Sequence, residues 1–135
     1  METAHDLVPD IPIFAGGKSF GGRMSSKLAA DTELQALRGL IYFGFPLHAP
    51  GRPGIERAAH LKEIPQPMLF LQGTRDTLAT PDLIKEVTEP LPTSTVIFYE
   101  GADHSFKTLK KFNISPEEMM QKLVDDSRSW ISQQI

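Results

Sequence analysis

The chain has 135 residues, 40% of them hydrophobic, and a formal net charge of -3, which is enough for one domain that buries about two thirds of its unfolded surface. Acids and bases are interspersed without a basic stripe, which excludes the electrostatic footprint of a nucleic-acid binder, and the absence of cysteine excludes disulfide scaffolds, thiolate zinc sites and cysteine nucleophiles. Met1 to Asp10 has neither a basic n-region nor an apolar h-region, and no apolar run approaches the roughly 20 residues of a membrane span, so the sequence reads as a soluble cytoplasmic protein with no membrane partner.

The first apolar run, Ile11 to Ala15, leads into Ala15-Gly-Gly-Lys-Ser-Phe-Gly-Gly-Arg23, which holds a G-x-S-x-G centred on Ser19. A strand, a sharp turn through one serine and a following helix make a nucleophile elbow, which stands the hydroxyl above the sheet edge. Gly17 and Gly21, two residues either side of Ser19, are the positions where side chains are expected to collide as strand and helix close. Ser25 to Leu37 reads as the helix and Leu40 to Phe45 as a second strand. A loop rich in Pro and Gly over Pro46 to Pro53 and a short helix over Glu56 to Lys62 follow. Met68 to Leu71 and Thr95 to Tyr99 are the third and fourth strands. Between them Pro81 to Val87 predicts a helix, with Thr80 at its N-cap and Asp82 at the positive end of its dipole. Ser115-Pro-Glu-Glu118 has capping-box spacing, and Met119, Met120, Leu123, Val124, Trp130 and Ile131 then form one apolar face of a final helix. This alternation predicts an α/β class: a three-layer α/β/α domain on a mostly parallel sheet of about four strands.

Functional groups of an open parallel sheet gather beyond the carboxyl ends of its strands. Ser19 follows the first strand, Asp76 the third (MLFLQGTRD) and His104 the fourth (VIFYEGADH), an order that resembles that of α/β-hydrolases. A serine hydroxyl is a poor nucleophile at neutral pH, so His104 is the candidate base that takes its proton and returns it to the leaving group. Asp76 is the candidate that holds the imidazole in the correct tautomer and stabilises its cation. Each has a plainer reading: Ser19 as a turn or phosphate-binding residue, Asp76 as a helix cap or a partner of Arg75, His104 as a hydrogen-bonded surface residue. Asp103 is a rival acid, although adjacent side chains usually point apart. Lys18 and His48 are candidate substrate contacts, with a solvated lysine and a loop histidine packed among prolines as the alternatives. Arg23 is expected to face an acid or cap structure, with anion recognition as the other option. His5 and His60 fall at no metal-ligand spacing, so neither a metal nor a cofactor is expected.

AGGKSFGGR, GFPLHAPGRP, LFLQGTRD and EGADHSFK, in that order, resemble consecutive motifs of the α/β-hydrolase superfamily. The resemblance is to its dienelactone-hydrolase-like branch, which includes the testis-expressed hydrolase-like proteins and a subunit of a histone acetyltransferase complex. It implies a partial α/β-hydrolase fold with Ser19, Asp76 and His104 as the triad and the backbone N–H of Phe20 as one oxyanion donor. Members carry, before the elbow, several strands and an HG-type loop that supplies the second donor. Residues 1–135 are therefore expected to be a single domain resembling the carboxyl-terminal half of the fold, and a missing oxyanion donor costs on the order of 100-fold to 1000-fold in turnover. The function expected is a serine hydrolase of carboxylesterase or thioesterase type, acting on a small acyl substrate through an acyl-enzyme. The alternative is a catalytically weak or inactive hydrolase-like interaction module, and a third option is phosphate binding at the elbow. An unpaired apolar edge at the elbow strand invites pairing, which predicts a homodimer through that edge or a partner chain supplying the missing half.

Overall fold

The computed structural model describes residues 2–135, with the backbone alone at Glu2 and His5. After a short helix α1 (Glu2–Leu7), the four apolar runs become β1 (Ile13–Lys18), β2 (Leu37–Phe43), β3 (Met68–Gly73) and β4 (Ser94–Tyr99). Their order in the sheet is their order in the chain, and all neighbours are parallel. Laying each strand beside the last in one direction, through right-handed crossovers, puts every connecting segment on the same face. Those segments are α2 (Phe20–Asp31), a 3-10 helix over Glu56–Glu63, and α3 (Pro81–Thr88). The final helix, α4 (Pro116–Gln133), covers the other face.

Successive strand side chains leave on opposite sides, which builds two cores. On the crossover face Leu40, Tyr42, Met68 and Phe70 pack with Ala29, Leu61 and Ile84. On the other face Ile41, Leu69 and Leu71 meet Met119, Leu123 and Trp130. Tyr99 fastens α4 to the end of β4 by donating its hydroxyl to Asp126 Oδ2 at 2.6 Å; burial first, and then this bond, raise the Tyr99 pKa above its ordinary value. The central strands are the most buried, and β1 and β4 are the edges. Ser19 N–H donates to Phe43 O at 2.9 Å. By alternation Phe14, Gly16 and Lys18 turn their backbone groups away from β2, toward the open edge.

The α/β class and the three layers hold, and the sheet is wholly parallel. The element bounds shift for identifiable reasons. β1 runs from Ile13 through Lys18, not Ile11 to Ala15, because Gly16 and Gly17 serve as strand residues and not as a turn. A Cβ at Gly16 would stand 2.7 Å from Ile41 O, so glycine is what lets β1 lie against β2 here. α2 begins at Phe20 rather than Ser25 and stops at Asp31; Gly21 and Gly22 are poor helix formers that tertiary packing overrides. β2 starts three residues earlier than expected, at Leu37, and carries one extra residue opposite the Ile13–Phe14 step. That bulge sends Leu37 and Leu40 to the same core. β2 also ends at Phe43, since Gly44 turns the chain with φ 75°.

The helix caps divide. Ser115 Oγ accepts from Glu118 N at 3.1 Å, as its spacing predicts. Thr80 and Pro81 hold the N-cap and first positions of α3, but the Thr80 side chain makes no cap hydrogen bond. The apolar face of α4 is narrower than its sequence suggests: Met119, Leu123 and Trp130 are buried, while Met120 and Val124 are 60% and 49% exposed. Those two lie about 100° round the helix from Met119 and Leu123, which takes them past the sheet.

Candidate active site

All four strands point their carboxyl ends to one rim, and the loops that leave it carry the candidate residues. Ser19 joins β1 to α2 with φ 51° and ψ -119°, a positive-φ conformation outside the left-handed helical region that costs a non-glycine residue about 1–3 kcal/mol. The sharp reversal needs room between strand and helix. A Cβ at Gly17 would stand 2.7 Å from backbone atoms of Gly21 and Gly22, and one at Gly22 would stand 2.7 Å from Gly17 O. A Cβ at Gly21 would meet nothing within 4 Å. The close approach expected of Gly17 and Gly21 is thus made by Gly17 and Gly22, because Gly21 is on the solvent side of the first helical turn.

The loops after β3 and β4 are bound to each other. Arg75 N–H donates to Ala102 O (2.8 Å), Thr74 N–H to Tyr99 O (3.1 Å), Gly101 N–H to Thr74 Oγ1 (2.8 Å) and Arg75 Nη1 to Gly101 O (3.1 Å). A Cβ at Gly73 would strike Ala102 O, so the bare glycine at the end of β3 permits this contact. Arg75 is occupied with Gly101 O and Asp76 does not pair with it. Asp76 is 1% exposed; its Oδ1 accepts from Leu78 N–H at 2.8 Å and its Oδ2 faces His104 Nδ1 at 2.7 Å. On the other side of the ring His104 Nε2 lies 2.7 Å from Ser19 Oγ.

The structure therefore brings Ser19, His104 and Asp76 into one hydrogen-bonded line. With Asp76 ionised, Nδ1–H donates to Oδ2 and Nε2 accepts from the serine hydroxyl, the tautomer a general base requires. The imidazole is 20% exposed and the carboxylate wholly buried, so the acid is shielded while the base stays open to a reactant. Asp103 serves its own loop, its Oδ1 accepting from Ser105 and Lys107 N–H, both at 2.9 Å.

Gly44, which the apolar run Leu40 to Phe45 assigns to β2 on sequence alone, is a position of the candidate site. Its φ of 75° turns the chain, and a Cβ there would lie 3.2 Å from His104 O and 3.4 Å from its ring. The signal was a glycine set between Phe43 and Phe45 at the end of an apolar run.

Phe20 is the first residue of α2, so its N–H has no acceptor within the helix; the residue is 66% exposed. Lys18 is exposed and borders a cavity of 680 Å³ between α4 and the loop after His104, with Phe43, Phe106, Met119, Leu123 and Ser105 among its walls. His48 is not joined to the line by any hydrogen bond. It is 5% exposed, with Nδ1 donating to Ala49 O at 2.8 Å. The side chain of His5 lies outside the described residues. Among the described residues, no three His, Asp or Glu side chains gather as a metal site would require, and no helix is long and apolar enough to cross a membrane.

A model of the alpha/beta hydrolase domain family matches residues 1–132. Among solved structures, an alpha-beta serine hydrolase homologue from Coxiella burnetii is 23% identical, with a TM-score of 0.61, over 76% of this chain and 46% of its own. An esterase from Pyrococcus furiosus is 15% identical, with a TM-score of 0.66, over 98% of this chain and 57% of its own. A thioesterase domain from the curacin biosynthetic pathway is 14% identical, with a TM-score of 0.56, over 76% of this chain and 63% of its own. These likenesses carry the fold alone, and the chain spans about half the length of the structures it matches.

Proposed function

This chain belongs to the alpha/beta hydrolase family, and from that premise we propose that it is a serine hydrolase of ester or thioester bonds. The observation that carries the reading is the line from Asp76 through His104 to Ser19, with 2.7 Å at each step, ending on a serine held at φ 51°. His104 Nε2 takes the hydroxyl proton as Ser19 Oγ bonds to the substrate carbonyl carbon. The imidazolium is stabilised by Asp76 and gives that proton to the departing alcohol or thiol as the carbonyl–leaving-group bond breaks. Water then attacks the acyl-serine, His104 accepting one of its protons and returning it to Ser19 as the carboxylic acid leaves. The Phe20 N–H is the assigned oxyanion donor, and the 680 Å³ cavity takes the acyl chain, with Lys18 as a substrate contact on its border. Buried His48 is given a packing role. No step of this route calls for a metal or a cofactor.

Within the family we place the chain in the dienelactone-hydrolase-like branch, on the motifs AGGKSFGGR and EGADHSFK, and in the cytoplasm, where a chain without cysteine is at home. The test is labelling by a fluorophosphonate probe and turnover of p-nitrophenyl acetate, each beside Ser19→Ala. Labelling and turnover that vanish in the variant are the expected result; an unlabelled native chain rejects the reading.

A second reading, a hydrolase-like interaction module, is favoured by one specific observation. The β1 edge is open, and beside it α2 exposes Phe20, Met24 and Leu28 at 66%, 45% and 48%. Residues four apart share one helix face, so the three form an apolar stripe on the side of α2 turned away from its buried Gly22, Ser26 and Ala29. Its assigned occupant is a second copy of this chain, related by a two-fold axis; a different chain supplying the other half of the fold is the competing occupant.

A further inference from the structure

α2 and the 3-10 helix over Glu56–Glu63 both descend from the rim that carries Ser19, side by side on one face of the sheet. Ser26 Oγ donates to Arg23 O at 2.5 Å, and His60 Nε2 lies 2.7 Å from Ser26 Oγ. The hydroxyl has a single proton, so His60 is the donor in this second contact. The bond pins the two segments together. Arg23 precedes Ser26 by three residues, and Arg57 precedes His60 by three. Residues three apart share a face in both helix types, so both arginines lie above the pin, at the end nearest Ser19. Arg23 is a single turn from the nucleophile, its N–H donating to Ser19 O at 3.1 Å. Helical side chains lean toward the N-terminus of their helix, which aims the Arg23 guanidinium back toward the rim.

No acid answers these charges. Among the described residues the one ion pair is that of His104 with Asp76, and Arg23 Nε is buried without a hydrogen-bond partner. The nearby Glu56 carboxylate is folded back over Gly54. From sequence Arg23 is expected to face an acid or to cap structure, with anion recognition as the other option, and in the fold its charged neighbour is Arg57: burial first, and then the charge of Arg57, lower the Arg23 pKa from its ordinary value. A buried guanidinium N–H without an acceptor is costly, and two guanidinium groups with no carboxylate paired to either favour an anion between them.

We propose that Arg23 and Arg57 form an anion subsite one helical turn from Ser19, which receives a carboxylate or phosphate group carried by the acyl substrate at a distance from its scissile bond. Two planar forks suit the oxygens of either group. The word substrate rests on the hydrolase reading; the binding of an anion does not.

Two measurements keep the claims separate. In the first, the native chain is titrated calorimetrically with succinate and with inorganic phosphate, beside Arg23→Met, Arg57→Met and, as a control on α4, Arg128→Met. Loss of one charge-assisted contact is expected to weaken binding about tenfold or more in each of the first two variants and to leave the control at the native affinity. Tighter binding of succinate assigns a carboxylate, tighter binding of phosphate a phosphate ester. Arg57 is exposed, so its variant retains the fold even where Arg23→Met does not. In the second, the ratio of kcat/KM for p-nitrophenyl hemisuccinate to that for p-nitrophenyl acetate is compared across the same chains, and it is expected to fall about tenfold in both arginine variants. A native chain that binds neither anion, or equal binding in all four chains, overturns the subsite. Anion binding that follows the arginines with no hydrolysis of either ester retains the subsite and rejects the hydrolase reading.

Discussion

Replacing Gly17 by alanine isolates the contact that shapes the elbow. The new Cβ would lie 2.7 Å from backbone atoms of Gly21 and Gly22, about 0.7 Å short of the 3.4 Å at which ordinary contact begins. Those atoms belong to a helix and cannot rotate aside, so β1 and α2 must part by several tenths of an ångström. Overpacking of this kind costs about 1–3 kcal/mol, a fall in Tm of about 3–10 °C for a domain of this size. Ser19 is two residues further on, at the hinge of the separation, and a displacement near 1 Å lowers a reaction rate about 100-fold. Gly21→Ala makes the opposite case. Its Cβ meets nothing within 4 Å, and exchanging glycine for alanine in a first helical turn stabilises by up to about 0.5 kcal/mol. Thermal melts followed by circular dichroism, with fluorophosphonate labelling rates on the same samples, compare the two variants. The reasoning is refuted if Gly17→Ala melts and labels like the native chain, or if Gly21→Ala is damaged as severely as Gly17→Ala.

Asp76→Asn keeps the Leu78 N–H contact at Oδ1 but removes the charge facing His104 Nδ1, and kcat is expected to fall about 10⁴-fold with an unchanged melting curve; a loss under about tenfold would detach Asp76 from the chemistry. Trp130→Ala opens the core between α4 and the sheet and is expected to cost about 3–5 kcal/mol by urea unfolding, against under about 0.5 kcal/mol for the exposed Val124→Ala; equal costs would contradict the packing of α4. His60 is held below its ordinary pKa of 6.5 by burial, then by the charges of Lys27 and Arg23, with Asp31 opposing. The unfolded chain therefore binds a proton that the folded chain refuses, and stability drops as pH falls through about 6.5 toward the lowered folded value. His60→Gln should shrink the change in urea midpoint between about pH 7.5 and about pH 5.5, and an undiminished change would place the acid sensitivity elsewhere. Light scattering during size-exclusion chromatography should give twice the chain mass at micromolar concentration, reverting to one chain mass in Leu28→Asp; a native monomer removes the two-fold pairing at β1.

The class of fold and the order of its elements were legible in the chain, because alternating short apolar runs and helical segments have few ways to bury both faces of every strand. So were Ser19, Asp76 and His104, since each follows a strand and a parallel sheet sends those ends to one rim. Local spacing did not reveal which glycines are crowded. Gly22 and not Gly21 is crowded because of the direction in which the first turn of α2 leaves β1, and Gly44 owes its role to an imidazole from a distant part of the chain. Nor did it reveal that the charged neighbour of Arg23 would be Arg57. Periodicity records which way a side chain leaves its own element; what stands opposite is decided only when separate elements pack. Composition and pattern therefore determined the layers and the candidate chemistry of this protein, while tertiary packing decided the distances and the partners on which that chemistry depends.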